Sequence, residues 1–391
     1  MLSQENKQIS GPLLTFIMIM GAFGVMGGGL VAPGLPAIGS AFSAPEEQLG
    51  LILSVYTISA AISLPLIGYF IDTVGRRRTA LVCLIIDGTA GIGSSLAPYF
   101  SILLGWRFLQ GIGVAGLIPI AMTVIGDCFQ GKKRLKYMGF LTGTISLGAV
   151  IIPSLGGFLA AVDWRLVFMV YALSLVLALI FFFKLPETAA STGQISLNKL
   201  RQHLVSLFNI LKLEKIRLVL LQSFAAYFFL YAMVTFLPVY IFQVHGLGEI
   251  FSGLSLSLQG LISAIFASRA GFFAGIIGWR KRTVLGFILI AMAFMLLPFW
   301  PEESYLILLS MIIYGSGMGI LNPTIYDRIT GLPPEKLRGS VISLFNTLKY
   351  LGMSSSPLLL GFLLIFFEMQ LLFFFTGITA ALWGIVILIA G

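Results

Sequence analysis

The chain has 391 residues, 58% of them hydrophobic and only 10% charged, with a mean hydropathy of +1.02. A soluble globular domain carries about 25% charged residues, so this composition excludes one and makes the bilayer the solvent of most of the chain. The net charge of +9 is spread over short stretches between apolar runs rather than gathered on one exposed domain. It therefore reads as membrane topology and not as nucleic-acid binding.

The polar opening, MLSQENKQISG, is short, and the run Pro12–Val31 behind it is too long for a signal-peptide core and lacks a small-residue cleavage pattern. It is read as the first span. Twelve apolar runs follow one another, at about 12–33, 48–71, 79–97, 102–126, 137–160, 165–184, 217–242, 250–277, 283–300, 304–326, 339–364 and 370–390. On one side of these runs lie Lys7, Arg76-Arg77-Arg78, Lys132-Lys133-Arg134-Lys136, the cations between Lys199 and Arg217, Arg280-Lys281-Arg282, Arg328, Lys336 and Arg338. The other side carries Glu46, Glu47, Asp163, Glu249, Glu302, Glu303 and Glu368, with Arg165 as its clear cation. The positive-inside rule then places both termini in the cytoplasm of a multi-pass protein of the cell's inner or plasma membrane. Forty-four glycines and 14 methionines suit closely packed, bending membrane helices.

Cys83 and Cys128 are read as reduced packing residues, and His203 and His245 lie far apart in loops. No metal site, cofactor or disulfide framework is expected. The longest polar stretch, Leu185–Glu214, opens on a turn-like PETAASTGQ and continues with Leu200, Leu204, Leu207, Phe208 and Leu211 at helical spacing. That pattern predicts an amphipathic helix over 195–213 on the cytoplasmic surface. The domain reading is therefore a six-helix bundle over 1–184, a linker over 185–214 and a second six-helix bundle over 215–391.

An internal repeat supports two bundles. Shifting the chain by 204 brings Gly111 onto Gly315, Gly113 onto Gly317, Pro119 onto Pro323, Arg134 onto Arg338, Gly148 onto Gly352, Pro153 onto Pro357 and Gly157 onto Gly361. Parallel repeats of this kind are related by an axis along the membrane normal, with substrate bound between them near the midplane. The intramembrane charges do not repeat: Arg107 falls on Met311, and Lys349 falls back on Ile145. Shared positions are expected to be architecture and unshared charges to be chemistry.

The costliest residue is Arg107. From Ile102 to Gly126 it is the single charge, and a central arginine costs about 2.5–3.5 kcal/mol on insertion scales unless a polar cavity or partner receives it. Two soluble-protein motifs nearby fail their context. Gly111-Ile-Gly113-Val-Ala-Gly116 spells GxGxxG but lies inside a span with no strand before it, so close helix packing is the expected role. Gly126–Lys133, GDCFQGKK, resembles a P-loop but lacks its final hydroxyl residue and is a helix exit. There is no Ser/His/Asp set.

Three motifs carry a family resemblance. Gly68-Tyr-Phe-Ile-Asp72-Thr-Val-Gly75-Arg76-Arg77-Arg78 resembles the G-x-L-x-D-R-x-G-R-R signature of the major facilitator superfamily, with Thr73 and Phe70 as departures. Arg107-Phe-Leu-Gln110-Gly111-Ile-Gly113 resembles the family's fourth-helix R-x-x-Q-G-x-G. Gly148-Ala-Val-Ile-Ile152-Pro153-Ser-Leu-Gly156-Gly157 is similar to the fifth-helix motif of the twelve-helix drug/proton antiporter branch, with Ile152 in place of a glycine. The resemblance implies an all-α membrane fold of twelve transmembrane helices in two pseudo-symmetric six-helix bundles. It also implies a cytoplasmic latch of Gly68, Asp72, Gly75, Arg76, Arg77 and Asp127, and a gating role for Gly148, Pro153, Gly156 and Gly157. In the latch, the Asp72 carboxylate is expected to meet the N-terminus of another helix.

Asp87 and Arg107 differ in depth by roughly 6 Å at 1.5 Å per helical residue. A carboxylate held between burial and a nearby guanidinium can load and release a proton as access alternates. Asp87 is therefore the expected proton carrier and Arg107 its switch partner, with a structural ion pair as the alternative. Arg107 and Gln110 are also expected at the substrate cavity, with Lys349, Asn346, Tyr227, Tyr231 and Tyr314; the two cations there suit an anionic or amphiphilic substrate. The reading is a monomeric secondary transporter, an exporter exchanging protons for a small organic compound in the manner of a multidrug antiporter. A carrier of an anionic metabolite or lipid, coupled differently or uncoupled, is the second reading. An intramembrane enzyme acting on lipid would need several convergent acids or nucleophiles at one depth, and only one buried acid is present.

Overall fold

A computed structural model describes residues 11–188, 210–299, 304–333 and 338–390. All regular structure among them is helical. In chain order the helices are one (Gly11–Phe23 and Met26–Phe42), two (Glu46–Thr73), three (Arg76–Ser95), four (Phe100–Cys128), five (Gly131–Val162) and six (Trp164–Lys184). The second half repeats the order with seven (Glu214–His245), eight (Glu249–Ser268, continued by Ala270–Ile276), nine (Trp279–Leu296), ten (Tyr305–Gly331), eleven (Arg338–Leu364) and twelve (Met369–Ala390). By length and apolarity, eight of the described helices qualify as membrane spans, or nine counting the bent pair of helix one. The number twelve comes from the apolar runs of the sequence; helices three, nine and eleven occupy three of those runs without reaching that level of apolarity. The amphipathic helix expected at 195–213 lies almost wholly outside the described residues.

Helix one departs most from its expected bounds. Instead of ending near residue 33 it bends by 54° and runs on to Phe42. Pro33 and Pro36 stand at the first turns of the segments that follow the bend, where a missing N–H costs nothing. Gly27 and Gly28 sit beyond the bend, and a β-carbon on either would strike the ring or hydroxyl of Tyr56 and Tyr231 respectively.

The halves meet chiefly along two crossings, helix five on eight and helix two on eleven, and helix one also touches helices seven and eight. At the end that carries the acidic residues both crossings are backbone-tight. A β-carbon at Gly157 would collide with the Glu249 carbonyl at the start of helix eight, and one at Gly361 with the Glu47 carbonyl at the start of helix two. Those two glycines are one repeat apart, so the same contact is made twice. Pro153 has no N–H to give the Ala149 carbonyl, and Gly260 of helix eight comes so close to that oxygen that a β-carbon would sit 2.6 Å from it. The hydroxyls of Ser154 and Ser257 bond at 2.7 Å across the same crossing, and Ser54 donates to the Ser354 carbonyl at 3.0 Å across the other.

Toward the basic end the crossings diverge. Gly139 and Gly143 on helix five, Gly68 on helix two, and Gly271 and Gly275 in the continuation of helix eight have no described neighbour within contact distance of an added β-carbon. Leu135 and Phe272 are 76% and 66% exposed there. The halves are thus packed backbone to backbone at the acidic end and more loosely toward the basic end.

A leucine at Gly157 or Gly361 is expected to prise the acidic end apart. Spin labels at Val162 and Ile250, with Cys83 and Cys128 replaced by alanine, should report a longer distance in Gly157→Leu than in the parent by double electron–electron resonance. An unchanged distance distribution would contradict the tight crossing.

Candidate functional site

The GxGxxG glycines build the floor of the site by letting helices close. A β-carbon at Gly111 would meet the Tyr56 carbonyl of helix two, and one at Gly113 would lie 2.7 Å from the Cys83 carbonyl of helix three. Close packing, and no nucleotide, is what these glycines serve. It brings the unrepeated charges of helices three and four together in a dry interior, where Asp87, Arg107 and Gln110 are all fully buried.

Arg107 is received by oxygens from three helices. Its Nε donates to the Ile52 carbonyl at 3.1 Å and one terminal nitrogen to the Gly27 carbonyl at 3.0 Å. The other donates to Gln110 Oε1 at 2.6 Å. The guanidinium lies 4.1 Å over the ring of Tyr56. Gln110 then turns its amide to Asp87, donating to Oδ1 at 3.2 Å, and Ser174 of helix six donates to Oδ2 at 2.6 Å. Asp87 and Arg107 therefore form no direct ion pair; Gln110, one turn further along helix four than Arg107, stands between them. The sequence placed the two at compatible depths but could not give the direction of either side chain. Tyr171 stands beside the same guanidinium, and the buried Tyr56 hydroxyl has no hydrogen-bond partner among the described residues.

The expected cavity residues divide. Gln110 is the bridge just described and faces no opening. Tyr314 is fully buried against Phe294 within the second half, its hydroxyl without a partner among the described residues, so it lines no open wall. Tyr231 crosses between the halves, its hydroxyl against Gly28 of helix one. Lys349 is half-buried, with its ammonium 4.8 Å from the ring centre of Tyr227 and 5.9 Å from that of Tyr350. Asn346, one turn away, spends one amide hydrogen on the Ile342 carbonyl of its own helix. Tyr326, absent from the sequence reading, is 43% exposed on helix ten and adjoins Tyr227.

At the basic end, Arg76 bonds Asp127 at 3.0 Å, lies 3.5 Å from Asp72 and donates to the Ile71 carbonyl at 2.9 Å. Arg77 reaches the Phe182 carbonyl. Gly75 turns the chain into helix three with φ of +108°, a conformation that a side chain rarely tolerates. The carboxylate at the N-terminus of helix three is not Asp72, whose side chain is 74% exposed. It is Glu187, which accepts from the backbone N–H of Arg76 at 2.8 Å and of Arg77 at 3.2 Å. Thr188 adds a bond to Asp127 at 2.8 Å. These bonds all lie within the first half of the chain. Glu187 sits in the PET turn, and only the fold brings that turn to the far end of helix three. In helix five, Gly156 lies against the Leu30 carbonyl and Gly157 against helix eight, so the fifth-helix motif touches both halves, while Gly148 faces Ile152 and helix one.

The comparisons with known proteins agree with this architecture. The Major Facilitator Superfamily model matches residues 17–357, and the chain belongs to that family. It is 29% identical to the bacillibactin exporter of Bacillus subtilis (strain 168), covering 85% of each chain. It is 27% identical to the class B tetracycline resistance protein of Escherichia coli, covering 84% of this chain and 83% of the relative. A D-xylose–proton symporter superposes with a TM-score of 0.78 at 16% identity, with 96% of each chain covered. At such identity the likeness shows the fold alone. The protein is thus a multi-pass membrane transporter.

Removing the Glu187 carboxylate leaves two N–H groups of helix three without their acceptor. Glu187→Ala should destabilise the protein by about 1–3 kcal/mol, seen as a lower midpoint of thermal unfolding in detergent. Glu187→Gln, which keeps one acceptor oxygen, should lie between it and the parent.

Proposed function

We propose that this protein is a secondary active exporter that exchanges protons for a small organic or amphiphilic compound by alternating access. Asp87 carries the proton. The observation behind this is the fully buried bridge Asp87–Gln110–Arg107, with no other acid in the interior of the described helices. The relatives named above, an exporter and a drug-resistance protein, are consistent with it.

The bridge is connected to the seal. Three positions on helix two, two residues apart, do three things: the Ile52 carbonyl receives Arg107, Ser54 ties helix eleven, and Tyr56 carries the guanidinium on its ring. A proton on Asp87 removes the charge that Gln110 and Ser174 address. Gln110 is then free to turn, Arg107 loses one of its acceptors, and its hold on helices one and two changes. Strain delivered to helix two reaches the Ser54–Ser354 contact at the acidic-end seal. In the same reading the basic end faces the cytoplasm, both termini lie there, and the protein sits as a monomer in the inner or plasma membrane. A carrier of an anionic metabolite is the second reading, favoured by Lys349.

In proteoliposomes with an imposed pH gradient, Asp87→Asn should abolish proton-driven uptake of the transported compound, a loss of at least about tenfold, while downhill exchange persists. Gln110→Leu should weaken coupling without removing exchange. An Asp87→Asn protein that still concentrates its substrate on a pH gradient would exclude the assignment.

A further inference from the structure

Lys349, well inside helix eleven, is a charge of the second half that the proposed coupling leaves unused. It stands on helix eleven, about 16 Å from that helix's basic end at 1.5 Å per residue, close to mid-membrane. Arg107, nearer the acidic end, is saturated with oxygens. Lys349 has none: no hydrogen bond or ion pair to its ammonium exists among the described residues, and its neighbours are the faces of Tyr227 and Tyr350. The acids of the second half, Glu214, Glu249, Asp327 and Glu368 among those described, stand at or near helix ends. A ring face returns only part of what an ammonium loses on leaving water. The charge is therefore uncompensated among the described residues, and Tyr326, which adjoins Tyr227, is 43% exposed.

We infer that Lys349 is the anchor of an anion-binding subsite, and that the compound carried is an amphiphilic aromatic anion. Its acidic group lies on the Lys349 ammonium and its ring system among Tyr227, Tyr350 and Tyr326. This rests on reading the protein as a carrier. Three features argue against a cationic substrate. Lys349 is a fixed repulsion at the site. Asp87 is already held by Ser174 and Gln110. No other acid among the described residues stands inside the helices at this depth. Lys349 has no counterpart in the first half, where the repeat places Ile145, so the subsite belongs to one wall of the cleft and sets one orientation for the ligand.

The test is binding to the purified full-length protein by isothermal titration calorimetry, with 1-naphthoate and its neutral isostere 1-naphthamide as probes. The parent should prefer the carboxylate by roughly tenfold, as a charge-assisted hydrogen bond provides. Lys349→Gln should erase that preference while still binding the amide, and Lys349→Arg should keep it. Equal affinities in the parent, absence of carboxylate binding, or a preference that survives Lys349→Gln would overturn the subsite. Exchange in proteoliposomes separates this from the broader reading. Exchange without any anion preference leaves a carrier and removes the subsite. Anion preference without exchange of any compound keeps the subsite and removes the carrier.

Discussion

A guanidinium buried in the membrane must have its donors met, and the first half of this protein is arranged around that demand. Arg107 takes a carbonyl from helix one, a carbonyl from helix two and a side-chain oxygen from its own helix, and stacks on Tyr56. Each of these acceptors requires close approach. Gly27 has no side chain because Tyr56 occupies that space, and Gly111 has none because the backbone of helix two does. Losing any one acceptor in a dry interior leaves a donor unmet, so helices one, two and four are held in register with one another. Gln110 is one of the partners that Arg107 cannot spare, and it is also the residue that meets Asp87.

The two halves share a scaffold but divide the chemistry. The acidic-end seal is duplicated, with Gly157 on the start of helix eight and Gly361 on the start of helix two, each four residues beyond a proline. Backbone-to-backbone crossings of this kind are selective about geometry because no side chain can adapt there. They hold the two halves against each other at the acidic end. The charges are not duplicated. The first half holds an acid and a base joined by an amide, and the second holds a lone ammonium among tyrosines. A duplicated frame closes on an unsymmetrical interior, so the two walls of the cleft present different chemistry to whatever lies between them.

At the basic end, rigidity is built by another means. Helix three begins under three consecutive arginines, which oppose the positive end of its own dipole. Glu187 answers both problems, since its carboxylate meets the first free N–H groups and places negative charge at the helix start. Asp127 holds Arg76 from the exit of helix four, and Thr188 holds Asp127. The turn at Gly75, the end of helix four and the segment after helix six are thereby fastened as one piece.

The sequence by itself determined the membrane class, the helical runs, the repeat and the family. Hydropathy and loop charge act locally along a chain whose solvent is lipid, and prolines and glycines at one offset mark the same bends twice. It also singled out Asp87, Arg107 and Lys349, because a charge in an apolar run is conspicuous whatever surrounds it. It could not supply their partners. Ser174, Tyr56 and Glu187 are ordinary residues where they stand in the chain, and each acquires its role from a neighbour far away in sequence. Gln110, placed in the cavity by its motif, became a bridge, and Tyr314 turned out to face the interior of its own half. Helix-side direction and inter-helix approach depend on how several helices cross at once. That is a property of packing, decided by which backbones can come within reach of one another, and only the tertiary structure holds it.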